Sequence, residues 1–212
     1  MSYEFLSHSL GHTSLDTLRA IKKDGGLRVP DDIEDDYDDS IKPKPFVYCH
    51  YLFSELDYKP GSSASLNYHG FSGGISFWID PKILQDLPFY VCPSTMYGFC
   101  IENKEDILLS GKGKRKRMPS LEKLRLHINQ KMKKNRERKK YNGTLDFTLS
   151  HEILLKKIPL RYVFAIIVRR EKDIEKVRSV FPEIPVVLVN IDVPSYDKRI
   201  RKALHVLSEN VN

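Results

Sequence analysis

Cysteine is scarce in this chain. Three residues, Cys49, Cys92 and Cys100, are spread over 212 positions with no CxxC spacing among them. So small and odd a number excludes a disulfide framework and favours a reducing, intracellular setting, cytoplasmic or nuclear. The missing CxxC pair also leaves no pattern for a metal centre, and none is expected. Long apolar runs are lacking too. The longest, Tyr162–Val168, is the size of a strand and far short of the roughly 20 residues of a membrane span, so no membrane partner is expected. The opening MSYEFLSHSLGH has no basic start and no apolar centre, which excludes the pattern of a secretory signal. No internal repeat is visible, and the sequence does not indicate an oligomeric state.

Charge is abundant and unevenly placed. Residues 112–140, KGKRKRMPSLEKLRLHINQKMKKNRERKK, hold fourteen Lys and Arg against Glu122 and Glu137, a local +12. The whole chain is +7, so everything outside that segment sums to −5. Opposite in sign, DDIEDDYDD at 31–39 places seven acids in nine positions. The chain therefore reads as one slightly acidic domain spanning 1–212, with an acidic loop at 28–45 and a basic arm at 111–142 as insertions. A cationic run this dense suits a polyanion, because each neutralised phosphate releases condensed counterion. Lys114, Arg115, Lys116, Arg117, Lys133, Lys134, Arg136 and Arg138 are the candidate nucleic-acid contacts. KGKRKR also fits a nuclear localisation signal, and the whole arm also fits contact with an acidic protein or a membrane surface.

Hydropathy patterning gives a mixed order of elements. In SLDTLRAIKKDGG, Ser14 supplies a cap oxygen, Leu15, Leu18 and Ile21 share a face, and Gly25–Gly26 end the helix. Strands are expected at 46–53 and in ISFWID, with one or two more in PFYVCPSTMYGFCIE, interrupted at Pro93. The arm has a helical centre in which Leu121, Leu124, Leu126 and Ile128 are loosely periodic, and its outer parts are expected to move when no partner is bound. After Gly143 come strands at 146–155 and 160–169, a helix at 171–181, a strand at 185–191 and a last helix from Ser195. Few helices and short, unevenly spaced strands place the chain in the α+β class.

Chemistry concentrates on Glu152, which opens the apolar run EILL. It reads either as a surface glutamate on an edge strand or as a carboxylate with a task. Desolvating a carboxylate among apolar neighbours is costly unless it is hydrogen-bonded or used. Pattern alone leaves both open.

The segment SHEILLKKIPLRYVFAIIVRREKDIEKVRSVFPEIPVVLV resembles the C-terminal part of ADP-ribosyltransferase-fold enzymes, where a catalytic glutamate opens such a strand. GHTSLDTLRAIKKDGGL resembles the opening of the same superfamily, in which a histidine and a small hydroxyl residue hold NAD. PFYVCPSTM is similar to a stretch of the DarT-like enzymes, which ADP-ribosylate bases of single-stranded DNA. The three segments keep the family's order and cover roughly a third of the chain. The resemblance implies an ADP-ribosyltransferase-like split β-sheet core with flanking helices, NAD as substrate, and Glu152 and His12 as catalytic groups. It further implies contacts to NAD from His12, Thr13, Ser14, Tyr90, Ser94 and Tyr97. Two departures stand out: the family's histidine position is Gly11 here, leaving His12 or His8, and Ser94 replaces the DarT-like arginine.

These features lead to transfer of ADP-ribose from NAD to single-stranded DNA or RNA, a toxin-type activity. Alternatives are a metal-independent RNA-cleaving toxin pairing His12, His50 or His151 with Glu152, or a non-catalytic nucleic-acid-binding protein.

Overall fold

The computed structural model describes residues 2–10, 13–28, 47–54, 74–92, 121–126, 128–130, 152–189 and 196–209. Nine strands and four labelled helices appear in the order β1 Glu4–Leu10, α1 Leu15–Lys23, β2 Gly26–Arg28, β3 Val47–Phe53, β4 Ile75–Ile79, α2 Ile83–Asp86, β5 Phe89–Cys92, β6 Glu152–Leu155, β7 Lys157–Pro159, β8 Val163–Val168, α3 Lys172–Val180, β9 Val186–Leu188 and α4 Tyr196–Glu209. Residues 121–126 and 128–130 are also helical. The class is α+β, as the patterning indicates.

Seven strands form one sheet in the order β5-β6-β3-β1-β4-β8-β9, and β2 pairs with β7 in a second. Every pairing is antiparallel except β8 with β9. Consequently β1, β6 and β8 run in one direction, and their C-terminal ends share one edge of the sheet. Glu152 starts β6, which lies between β5 and β3, so the edge-strand interpretation of this residue does not hold.

Alternation divides the central sheet into two faces. One carries Phe5, Ser7 and Ser9 of β1 with Trp78 and Ser76 of β4, paired Ser7 to Trp78 and Ser9 to Ser76. Phe5 stacks on Trp78 at 4.2 Å, and the Ser9 and Ser76 hydroxyls bond at 2.7 Å. The other face carries Phe77, which meets Phe181 edge-on at 6.0 Å. Helices α1 and α3 lie on that second side: Lys22 at the end of α1 reaches the Phe181 ring at 5.7 Å and pairs with Glu183. At its start, α1 is held by Lys176 of α3 through the Thr13 carbonyl. With start beside α3 and end beside the residues following α3, the two helices run parallel.

α1 ends as its glycines dictate. Asp24 caps it, and Gly25 takes φ 65°, the left-handed region that glycine enters without steric cost. The next residue packs against β7 so closely that a Cβ on Gly26 would stand 2.5 Å from the Ile158 carbonyl oxygen. Backbone cannot yield as a side-chain tip can, so Gly26→Ala is expected to cost about 1–3 kcal/mol, read as a lower denaturant midpoint.

The centre of the basic arm belongs to this core. Leu124 and Ile128 are buried, while Leu126 is 58% exposed. Arg125 donates to Glu4 at 2.8 Å, and Glu4 also accepts from the Tyr51 hydroxyl. Only part of the loose periodicity is therefore a packing face.

Candidate functional site

Four buried side chains among the described residues are polar or charged: Ser7, His50, Ser76 and Asp173. Three of them lie on the Trp78 face, since Ser7 pairs with His50 on β3 and Ser76 with Ser9. The β3–β6 ladder sets Cys49 opposite Ile153, and one further step brings position 152 level with His50. On its other side, Glu152 pairs with Cys92 of β5. A single cross-strand row thus runs Trp78, Ser7, His50, position 152, Cys92. Ser7 is fully buried, and its hydroxyl has no hydrogen-bond partner among the described residues. Polar groups in the middle of a sheet normally have partners, and their exceptions concentrate at functional places.

The start of α1 stands at the edge where β1 ends. Position 152 is three residues short of that edge, about 10 Å, and two strands from β1, again about 10 Å. The end of β1 and position 152 therefore lie in one sheet, about 15 Å apart. The body of α1 packs on the opposite face from the Ser7 row.

Within that turn the two hydroxyls differ. Ser14 is the N-cap with extended backbone, and its Oγ accepts from the Thr17 amide at 3.0 Å and contacts the Thr17 hydroxyl at 2.9 Å. Its bonds serve the helix. The Thr13 Oγ1 is buried without a partner among the described residues, while the Thr13 carbonyl accepts from Lys176 Nζ at 2.5 Å. A hydroxyl of this kind beside a helix N-terminus fits a ligand that brings an acceptor.

His8, the alternative to His12, lies on β1 on the face opposite the Ser7 row. Its Nδ1 is 2.7 Å from the Tyr48 carbonyl oxygen. Burial lowers the imidazole pKa from its ordinary value, and the Tyr48 carbonyl opposes that only in part. The neutral ring donates its Nδ1–H to that carbonyl, which leaves Nε2 as an acceptor. Because the folded pKa is depressed, the unfolded chain binds this proton first as pH falls below about 6.5. Stability should therefore fall on the acid side of that value. In His8→Gln, denaturant midpoints measured from pH 7 to 5 should change less steeply than in the parent.

The remaining candidates are placed only in part. The backbone of Tyr90 on β5 pairs with Leu154 of β6. His12, Ser94, Tyr97 and His151 lie outside the described residues, as do Lys114, Arg115, Lys116, Arg117, Lys133, Lys134, Arg136 and Arg138. Ser7 is a residue that patterning missed, and His50 entered there only as a possible partner of Glu152 in an RNA-cleaving toxin; the signal for both was their polarity inside strands of aromatic and branched residues. Among the described residues, no group of three or more His, Cys, Asp or Glu is placed to hold a metal, and no helix is long and apolar enough to cross a membrane.

No protein-family model matches the chain, and no curated protein does. Among solved structures it is similar to Thermus sp. 2.9 DarT in complex with carba-NAD+, at 14% identity and TM-score 0.41, covering 89% of this chain and 96% of that one. It is also similar to Thermus sp. 2.9 DarT in complex with NAD+, at 12% identity and TM-score 0.41, covering 87% of this chain and 94% of that one. The ligands named there are those of DarT.

Proposed function

We propose that the chain transfers ADP-ribose from NAD to a single-stranded nucleic acid, with Glu152 as the central carboxylate. The observation that carries this reading is the backbone register, which sets position 152 on an interior strand in one row with the buried Ser7 and His50. The sequence resemblance around EILL and the unpartnered Thr13 hydroxyl support it. In this reading the nicotinamide–ribose bond breaks and leaves positive charge on the ribose, which a fixed carboxylate stabilises. A nitrogen or oxygen of the acceptor then bonds to the ribose carbon, and its proton passes to Glu152. Thr13 binds the dinucleotide, and the cationic arm holds the acceptor strand.

His50 beside position 152 in the register favours one rival. A histidine and a carboxylate form an acid–base pair that can cleave RNA without a metal. One assay separates the two: labelled NAD and a labelled oligonucleotide are incubated with the parent chain and with Glu152→Gln. Label transferred from NAD, and lost in the variant, supports ADP-ribosyl transfer. RNA cut to 2′,3′-cyclic phosphate ends without NAD would replace that reading with the rival.

A further inference from the structure

The fourth buried polar side chain, Asp173, is remote from the Ser7 row and needs its own account. It lies in the first turn of α3, 3% exposed, and two cations meet it. Arg170 Nε donates to its Oδ2 at 2.6 Å, and Lys176 Nζ stands 3.6 Å from Oδ1. The same ammonium donates to the Thr13 carbonyl. A chain of contacts therefore runs from a buried carboxylate through Lys176 to the main chain just before α1.

Three features of this corner are unfavourable for the folded chain alone. Burying a carboxylate is expensive even when it is paired, and an apolar residue in its place often stabilises as well or better. An ammonium near a helix N-terminus opposes the positive end of the helix dipole. The Thr13 hydroxyl has no partner among the described residues, an unmade hydrogen bond at a buried atom. All three converge on one turn, and an anionic ligand with acceptor oxygens would offset the last two.

We propose that Asp173 is a positioning residue for this turn. It holds Lys176 on the Thr13 carbonyl, which fixes the turn and presents the Thr13 hydroxyl and the first N–H groups of α1 toward the dinucleotide. This rests on the reading of Thr13 as an NAD contact. Gly74 belongs to the same device, because a Cβ there would come to 3.3 Å from Arg170 Nη2 and 3.7 Å from Asp173 Oδ2.

The test compares Lys176→Gln, Lys176→Arg and Asp173→Asn with the parent chain by amide hydrogen exchange, thermal unfolding and NAD kinetics. Lys176 is 25% exposed, so its glutamine variant keeps the fold available if Asp173→Asn unfolds. In Lys176→Gln the amides of Thr17 and Leu18, which bond to Ser14, should exchange several-fold faster with little change in melting temperature. KM for NAD should rise several-fold with kcat nearly unchanged, and Lys176→Arg should restore both. Unchanged exchange at Thr17 and Leu18 overturns the proposal, as does an equal loss of kcat in the glutamine and arginine variants. If the parent chain shows no NAD turnover at all, the ADP-ribosyl reading falls, while the exchange rates still decide whether Asp173 and Lys176 order the turn.

Discussion

Glu152→Gln is expected to lower NAD turnover by about 10²–10³-fold or more, with oligonucleotide affinity unchanged. The substitution keeps shape and hydrogen-bonding reach but removes the negative charge that faces the developing cation. Loss of a charge that acts on the transition state is felt mainly in kcat, because the interaction strengthens as charge develops. Folding should tolerate the change: position 152 is the first residue of β6, and backbone pairing to Cys92 does not depend on the side chain. A carboxylate with no task would behave differently. Substitutions away from special features stay within about 0.5 kcal/mol of the parent and leave rates alone. Single-turnover transfer of label, measured beside a thermal melt, checks both parts. Undiminished turnover in a folded variant would remove Glu152 from the mechanism.

Strong periodicity showed α1, β3, β4, α3 and α4 in outline, because each has an apolar face that answers to burial. β1 was not legible in the same way, although it is the central strand of the sheet. In EFLSHSL, the inward positions of one face are Phe5, Ser7 and Ser9, and two serines there erase the alternation that marks a strand. What hid the strand is what makes it interesting, since those serines belong to the polar face. The strand expected at 160–169 is shortened: Leu160–Tyr162 forms a single 3-10 turn and Val163–Val168 enters the large sheet, while Lys157–Pro159 just ahead of it joins β2. Nothing local marks that division. Of the strand expected at 185–191, Val186–Leu188 pairs with β8 in parallel, and residues 190–191 lie outside the described residues. Of the site, Glu152 and Thr13 were visible through family-like motifs. Ser7 in the same cross-strand row as position 152, and the Asp173–Lys176 contact to Thr13, depend on register and on helix placement, which no single stretch of sequence encodes.

The second large effect concerns the basic arm, and the structure decides how it must be tested. Deleting 112–140 would remove Leu124 and Ile128 from the core along with the Arg125–Glu4 pair, so lost activity would report unfolding as much as lost contacts. Replacing a buried leucine by nothing at all costs at least the 2–5 kcal/mol or so of a cavity-forming substitution. Charge removal at eight of the twelve cations that flank the helical centre avoids this: Lys114, Arg115, Lys116, Arg117, Lys133, Lys134, Arg136 and Arg138 changed to Gln leave that centre in place. If those side chains meet eight phosphates of a single strand, the logarithm of affinity should fall with the logarithm of salt at a slope of about −6. Affinity of the parent chain would then drop about 10³-fold between 50 and 200 mM salt, and the glutamine variant should bind weakly and with a shallow slope. Arg125 is excluded from the count because its charge is already committed to Glu4. Fluorescence anisotropy with a short oligonucleotide across that salt range measures the slope directly. The enzyme and the non-catalytic binder part company at the next measurement. Charge removal should spare hydrolysis of NAD to free ADP-ribose while abolishing transfer to the oligonucleotide, because the first needs Glu152 and the second also needs an acceptor held in place. A parent slope near zero would mean that these cations do not meet phosphate, whatever their density.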